Sequence, residues 1–184
     1  MTIGPSQIPQ RLAVAADATA VAALMRASVL DLFPRFYTPE QTASAAIHIA
    51  HLDPLLIDDG TYYVHEADGR IVACGGWSRR AKLYSGSGDQ DDDARLLDPA
   101  TEPARVRAMF VQGGWTRRGL GRAILDASER AARAEGFTAL TLMATLPGVP
   151  LYAAFSFTEI RRLELSMPDG VMLAGVEMGR PVNG

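Results

Sequence analysis

Residues 115–125, WTRRGLGRAIL, place two glycines and three arginines at the mouth of a helix. A helix start built for stability alone takes Asp, Ser or Glu, because its free N–H groups and the positive end of its dipole favour negative charge. Here the local charge has the wrong sign, which points to a bound anion as the source of the missing negative charge, the alternative being an ordinary helix start with solvated arginines. Without Cβ atoms at Gly119 and Gly121 the backbone can approach a bulky anion, while Arg117, Arg118 and Arg122 supply charge. A pyrophosphate fits such a turn. The requirement of strand, tight cationic turn and helix is the strongest constraint the chain places on its own fold.

The flanking segments supply those elements. ARVRAMFV (104–111) reads as a strand in which Val106, Ala108 and Phe110 alternate with Arg105, Arg107 and Met109. Residues 119–135 carry Leu120, Ile124, Ala127 and Ala131 at helical spacing, with Gly136 suited to the C-terminal cap. Upstream, RLAVA (11–15) predicts a strand. Asp17 is placed to cap a helix running to about Ser28, and Thr38-Pro39 to start a second near 40–51. TYYVHEADGRIVACGGWSRR predicts a hairpin turning at Ala67-Asp68-Gly69. Residues 83–103 lose all periodicity and read as an exposed loop. FTALTLMA (137–144) predicts a strand, LPGVPLYAAF a loop and short helix, and FTEIRRLEL with VMLAGVEM a closing pair of strands. The expected order is β, α, α, β, β, β, α, β, α, β, β: a mixed, mostly antiparallel sheet flanked by helices.

Other anion-binding turns do not fit. Gly114 and Gly119 have the glycine spacing of a Walker A loop, but Leu120 and Gly121 stand where Lys and Ser/Thr belong. A dinucleotide fingerprint needs glycine at 124, which is Ile124. A net charge of −3 and pI near 5.6 argue against a general nucleic-acid surface and confine the basic patch to one place. The single cysteine, Cys74, excludes an internal disulfide and fits a reducing cytoplasm. No run approaches the ~20 apolar residues of a membrane span, and the first ten residues carry no secretory core. His48 and His51, one turn apart, lack a carboxylate at metal-site spacing, and DQDDD (89–93) lacks the glycine and closing glutamate of a calcium loop. No metal is expected.

With these residues in view, 104–157 resembles the acetyl-coenzyme A core of the GNAT superfamily of N-acetyltransferases. Thr116, Arg117, Arg118, Gly119, Leu120 and Gly121 are similar to its [QR]xxGx[GA] signature, with Thr116 at the first position and Gly113 where a proline is common. PLYAAFSF (150–157) is similar to its LYxxxGF segment, with Ser156 in place of glycine. The resemblance implies one GNAT domain over 1–184. It implies cofactor contacts by Thr116, Arg117, Arg118, Gly119, Leu120, Gly121 and Arg122, and by the backbone of Met109, Phe110 and Val111, against which the pantetheine arm lies like an added strand.

It also implies acetyl transfer from acetyl-CoA to the amine of a small molecule or peptide, with Tyr152 as general acid, and a homodimer as one assembly. Glu66 is the candidate base, since an amine with pKa about 10.4 must lose a proton before attack. Direct attack in a ternary complex is expected, because Cys74 sits in an apolar strand without an activating neighbour. Phe33, Phe36, Tyr37 and Trp77 are candidates for an acceptor pocket or for plain core. The alternatives are a coenzyme A sensing module without turnover, and a phosphate-ligand protein unrelated to acyl transfer.

Overall fold

Seven strands form one sheet in the order β1-β2-β3-β4-β5-β7-β6 in the computed structural model, which describes residues 8–84 and 93–182. They are β1 (Gln10–Leu12), β2 (Tyr62–Ala67), β3 (Arg70–Ser78), β4 (Ala104–Val111), β5 (Ala139–Thr145), β6 (Thr158–Ser166) and β7 (Met172–Pro181). Helices α1 (Ala18–Leu32), α2 (Pro39–His48) and the short α3 (Leu55–Asp58) precede β2; α4 (Leu120–Ala134) links β4 to β5, and α5 (Val149–Ala154) links β5 to β6. Every neighbouring pair is antiparallel except β4 with β5. The mixed sheet and its element order follow the sequence reading, with α3 added. At four residues α3 is too short to show a helical period.

Local chemistry explains the boundaries. The Thr38 hydroxyl accepts from the Gln41 N–H (3.2 Å) and the Gln41 side chain accepts from the Thr38 N–H (3.0 Å), a closed capping box with Pro39 at the first helical position. Asp17 stands at the start of α1 but makes no side-chain cap. Its carboxylate instead accepts from Arg11 (2.7 and 3.0 Å) and the Val14 N–H (2.8 Å), and the Arg11 bonds hold it below its usual pKa. The β2–β3 hairpin turns through Asp68 (φ 50°) and Gly69 (φ 71°), the paired positive angles of a type I′ turn. The RLAVA strand is shorter than expected, because a 3-10 turn begins at Ala15. The acidic run at 89–93 lies outside the described residues except for Asp93, which pairs with Lys82.

Two apolar layers sandwich the sheet. On one face α1 and α2 bury Val21, Met25, Val29 and Ala45 against Tyr62, Val64, Cys74 and Phe110. On the other, α4 and α5 bury Leu125, Ala132 and Tyr152 against Trp77, Val106, Leu140 and Leu142. Arg180 of β7 ties this layer together, donating to the Phe155 carbonyl (2.8 Å) and to Glu129 (3.3 Å).

The expected alternation along β4 breaks in the middle. Val106 and Phe110 have the same parity yet pack on opposite faces. Ala108 adopts φ 52°, and the register with β3 slips between Cys74 and Gly76. This bulge turns the second half of β4 over. The Tyr62 hydroxyl, buried under α1, donates to the Ala108 carbonyl at 2.7 Å and braces it. On its other edge β4 meets β5 only at Ala104↔Leu140 and Arg105↔Thr141, after which the strands part.

Candidate active site

A cleft of about 670 Å³ lies where β4 and β5 part. Residues 106–111 of β4 form one wall and Met143, Thr145 and α5 the other; residues of the 115–122 turn and of the C-terminal end of α1 complete the lining. A wall whose strand edge beyond Arg105 has no β partner among the described residues offers backbone groups for a ligand that lies along it. The Val111 carbonyl, inside the stretch for which such contacts are expected, already accepts from the Ser28 hydroxyl at 2.9 Å.

The turn has the conformation its composition demands. Arg117 (φ 59°) and Gly119 (φ 80°) are both left-handed, separated by Arg118, and α4 starts directly afterwards. Alternation of this kind converges successive N–H groups on a concave surface suited to an anion, at a helix start that favours negative charge. Arg117 and Arg122 are exposed and line the cleft, whereas Arg118 stacks on Trp115 at 4.6 Å from the ring centre. The Thr116 hydroxyl donates to the Gly113 carbonyl (3.0 Å) and fastens the turn internally. At Gly113 a Cβ would land on the Asp31 carboxylate, so a larger residue there requires that exposed side chain to move aside.

Tyr152 of α5 is buried and lines the cleft, with its ring edge-on to Phe157 at 5.9 Å. A Cβ at Gly148 would come within 2.9 Å of that ring. Burial alone pushes the phenol well above its ordinary pKa, which favours the protonated form. Just beyond α5, Ser156 takes φ 68°, a backbone angle that accounts for the preference for glycine at this position.

Several expectations do not meet in the cleft. Glu66 is half-exposed, accepts from Arg11 at 3.0 Å and does not line the cleft; the structure does not bring this candidate base to the site. The alternation rule could not foresee Arg11, 55 residues away. Phe33 and Phe36 do line the cleft, but Trp77 is core beside Phe137, and Tyr37 is buried with its hydroxyl between the Ala174 carbonyl and the Leu146 N–H (both 2.8 Å). Cys74 is sealed on the far side of β4, where burial pushes its thiol up to about 12, so it presents no thiolate. His48 faces Asp169 at 3.4 Å, and among the described residues no group of three or more His, Cys, Asp or Glu side chains is arranged to hold a metal.

The cleft also contains a residue the sequence reading passed over. Arg107 reads as one outward cation on an alternating strand, yet its side chain is only 2% exposed. It donates to the Lys82 carbonyl (3.2 Å) and, at 3.5 Å, to Asp53, whose other oxygen accepts from the Leu55 N–H. Among the described lining residues the charged side chains are Arg35, Arg107, Arg117 and Arg122; none is acidic.

Comparison with known proteins agrees with this geometry. The model of the Acetyltransferase (GNAT) family matches residues 26–157. A GCN5-related N-acetyltransferase of Rhodopseudomonas palustris superposes with a TM-score of 0.71 at 20% identity, covering 98% of this chain and 99% of that one. YncA of Salmonella typhimurium, a putative acetyltransferase solved with acetyl-CoA, gives 0.62 at 16% identity, covering 97% and 95%. The PaiA N-acetyltransferase of Thermoplasma acidophilum, solved with coenzyme A, gives 0.62 at 10% identity, covering 95% and 99%. These likenesses establish a shared fold. No curated protein matches the chain in sequence. Among the described residues no helix is long and apolar enough to cross a membrane.

Proposed function

Because the chain belongs to the GNAT acetyltransferase family, for which acetyl-CoA-dependent acetyl transfer is the implied chemistry, we propose that it acetylates an amine by direct attack within a ternary complex. The observation that carries this reading is the cleft itself: one opening holds the cationic turn, an unpaired strand edge and a buried tyrosine.

The residues fit a coenzyme A molecule. The left-handed pair Arg117 and Gly119, the amides opening α4, and the Arg117 and Arg122 side chains would hold the diphosphate. The edge of β4 at Met109 and Phe110 offers backbone groups to the pantetheine arm. Bound there, acetyl-CoA supplies an acetyl group activated as a thioester.

The chain's own groups do the rest. An unprotonated amine forms the new carbon–nitrogen bond as the carbon–sulfur bond breaks, and Tyr152 stands inside the cleft to donate its proton to the leaving sulfur. Burial that disfavours a phenolate also disfavours a thiolate, so sulfur in this cleft takes up a proton more readily than in water. The proton shed by the amine passes to water and returns to Tyr152, since no carboxylate lines the described part of the cleft. The inert Cys74 supports direct attack over an acyl-cysteine route.

Free thiol released from acetyl-CoA, measured across a panel of amines, tests the proposal. Acceptor-dependent release is expected. Tight coenzyme A binding with no release for any amine would leave a sensing module, and stronger thermal stabilisation by ADP than by acetyl-CoA would point away from acyl transfer altogether.

A further inference from the structure

Arg107 is a buried cation whose neighbours do not complete it. A guanidinium has five N–H donors in a planar fork, and among the described residues only two contacts are made, to the Lys82 carbonyl at 3.2 Å and to Asp53 at 3.5 Å. The second is at the outer limit of a hydrogen bond and engages one carboxylate oxygen rather than two. Taking an ion out of water costs several kcal/mol unless close, well-aligned partners replace the lost hydration. Arg107 nevertheless sits at the cleft wall, next to the bulged Ala108, on the face covered by α1 and α2.

The other lining groups sharpen this. Arg117 and Arg122 belong to the turn, which leaves Arg35 and Arg107 as the charges elsewhere in the cleft. Apolar side chains accompany them, among them Leu32, Phe33, Phe36 and Ile49. A polyamine or other polycation entering here would meet like charge with no acidic side chain among the described lining residues, the nearby Asp53 being already engaged by Arg107. An acceptor with an anionic group opposite Arg107 would complete the fork with charge-assisted hydrogen bonds and bury its apolar part on the phenylalanines.

We propose that the acceptor is an amine that carries a carboxylate, an apolar amino acid being the simplest member of the class, and that Arg107 is the residue that binds the carboxylate. The inference rests on the acetyl-transfer reading and names the substrate class for it.

The test compares leucine and phenylalanine with their amides, with isopentylamine and phenethylamine, and with spermidine, each rate being normalised to the unprotonated amine. The free amino acids should exceed their amides and decarboxylated analogues at least tenfold in kcat/KM, and spermidine should be poorest. In Arg107→Gln the carboxylate-to-amide ratio should fall towards one, with Arg107→Lys in between; a ratio measured on one preparation is independent of how much of the variant folds. Separately, with coenzyme A bound, leucine should raise the melting temperature of the unaltered protein and leucinamide should not. Faster turnover of neutral or cationic amines would overturn the inference while leaving acetyl transfer standing. A ratio unchanged in Arg107→Gln would remove Arg107 from the role. Release of thiol with none of the amines would overturn both readings.

Discussion

The two sides of the cleft are built on opposite principles. The proposed nucleotide side is one contiguous stretch, residues 113–122, which would offer the diphosphate its backbone amides with the exposed Arg117 and Arg122 beside them. The proposed acceptor side, around Arg107, draws on β2, β4, the segment before α3 and the end of α1, and its buried cation and bracing tyrosine are both withdrawn from water. Main-chain recognition tolerates side-chain change but depends on dihedral angles. Side-chain recognition tolerates little loss of a side chain, yet leaves the backbone free to vary.

Substitutions can break that contrast at several points. The largest effect is expected at Tyr152, in the cleft the two sides share: Tyr152→Phe should lower kcat by about 10²–10³-fold, within the range for a positioned acid, with KM for acetyl-CoA little changed. Equal changes in kcat and KM would make it a packing residue. Its pH profile gives the sign of the argument. The pKa of Tyr152 is raised, so protonated phenol persists as pH rises, while the fraction of unprotonated amine grows; the rate should climb with no falling limb up to about pH 10. An alkaline limb near the pKa of a free phenol would contradict a buried acid.

Next in size is the turn. Gly119 lines the cleft and holds φ 80° with open space where a Cβ would go, so Gly119→Val strains the backbone angle and adds a branched side chain at the surface an anion would approach. Coenzyme A binding should weaken about tenfold in calorimetry, the equivalent of ~1.4 kcal/mol of strain or lost amide contacts. Unchanged affinity would mean that side chains rather than amides hold the diphosphate.

Tyr62→Phe probes the acceptor side. It removes the one hydroxyl bracing the Ala108 carbonyl, and should cost about 1–2 kcal/mol in chemical denaturation and shift acceptor KM more than acetyl-CoA KM. A shift in acetyl-CoA KM alone would detach the bulge from the acceptor side. The smallest effect, and a favourable one, is Ser156→Gly, which should gain about 0.5–1 kcal/mol by relieving a left-handed serine, with kinetics unchanged.

The same division decides what could be read from the chain alone. The turn was legible because its signature is contiguous and its glycine and arginines are needed by backbone geometry and charge. The α5 block was legible for the same reason, down to Ser156, whose positive φ explains why glycine suits that place. The acceptor side was not. Alanine carries no mark of a left-handed angle, so the bulge at 108 and the reversal of β4 beyond it had no signal in the alternating pattern. The Tyr62 to Ala108 contact spans 46 residues, and Arg107 meets Asp53, far back in the chain just before the one-turn α3. What could have drawn notice was an arginine in the middle of a strand between two apolar neighbours. Glu66 lies outside the cleft lining for a matching reason: its Arg11 partner is brought near by the pairing of β1 with β2.

The seam between β4 and β5, tied by two residue pairs, has a consequence for the life of the protein in a cell. A molecule that wedges into the seam binds the folded chain and not the unfolded one, so at a hundredfold excess over Kd it adds about 2.7 kcal/mol to the free energy of opening. Opened molecules would then be rarer while such a ligand is bound, and proteases that act on them would find fewer.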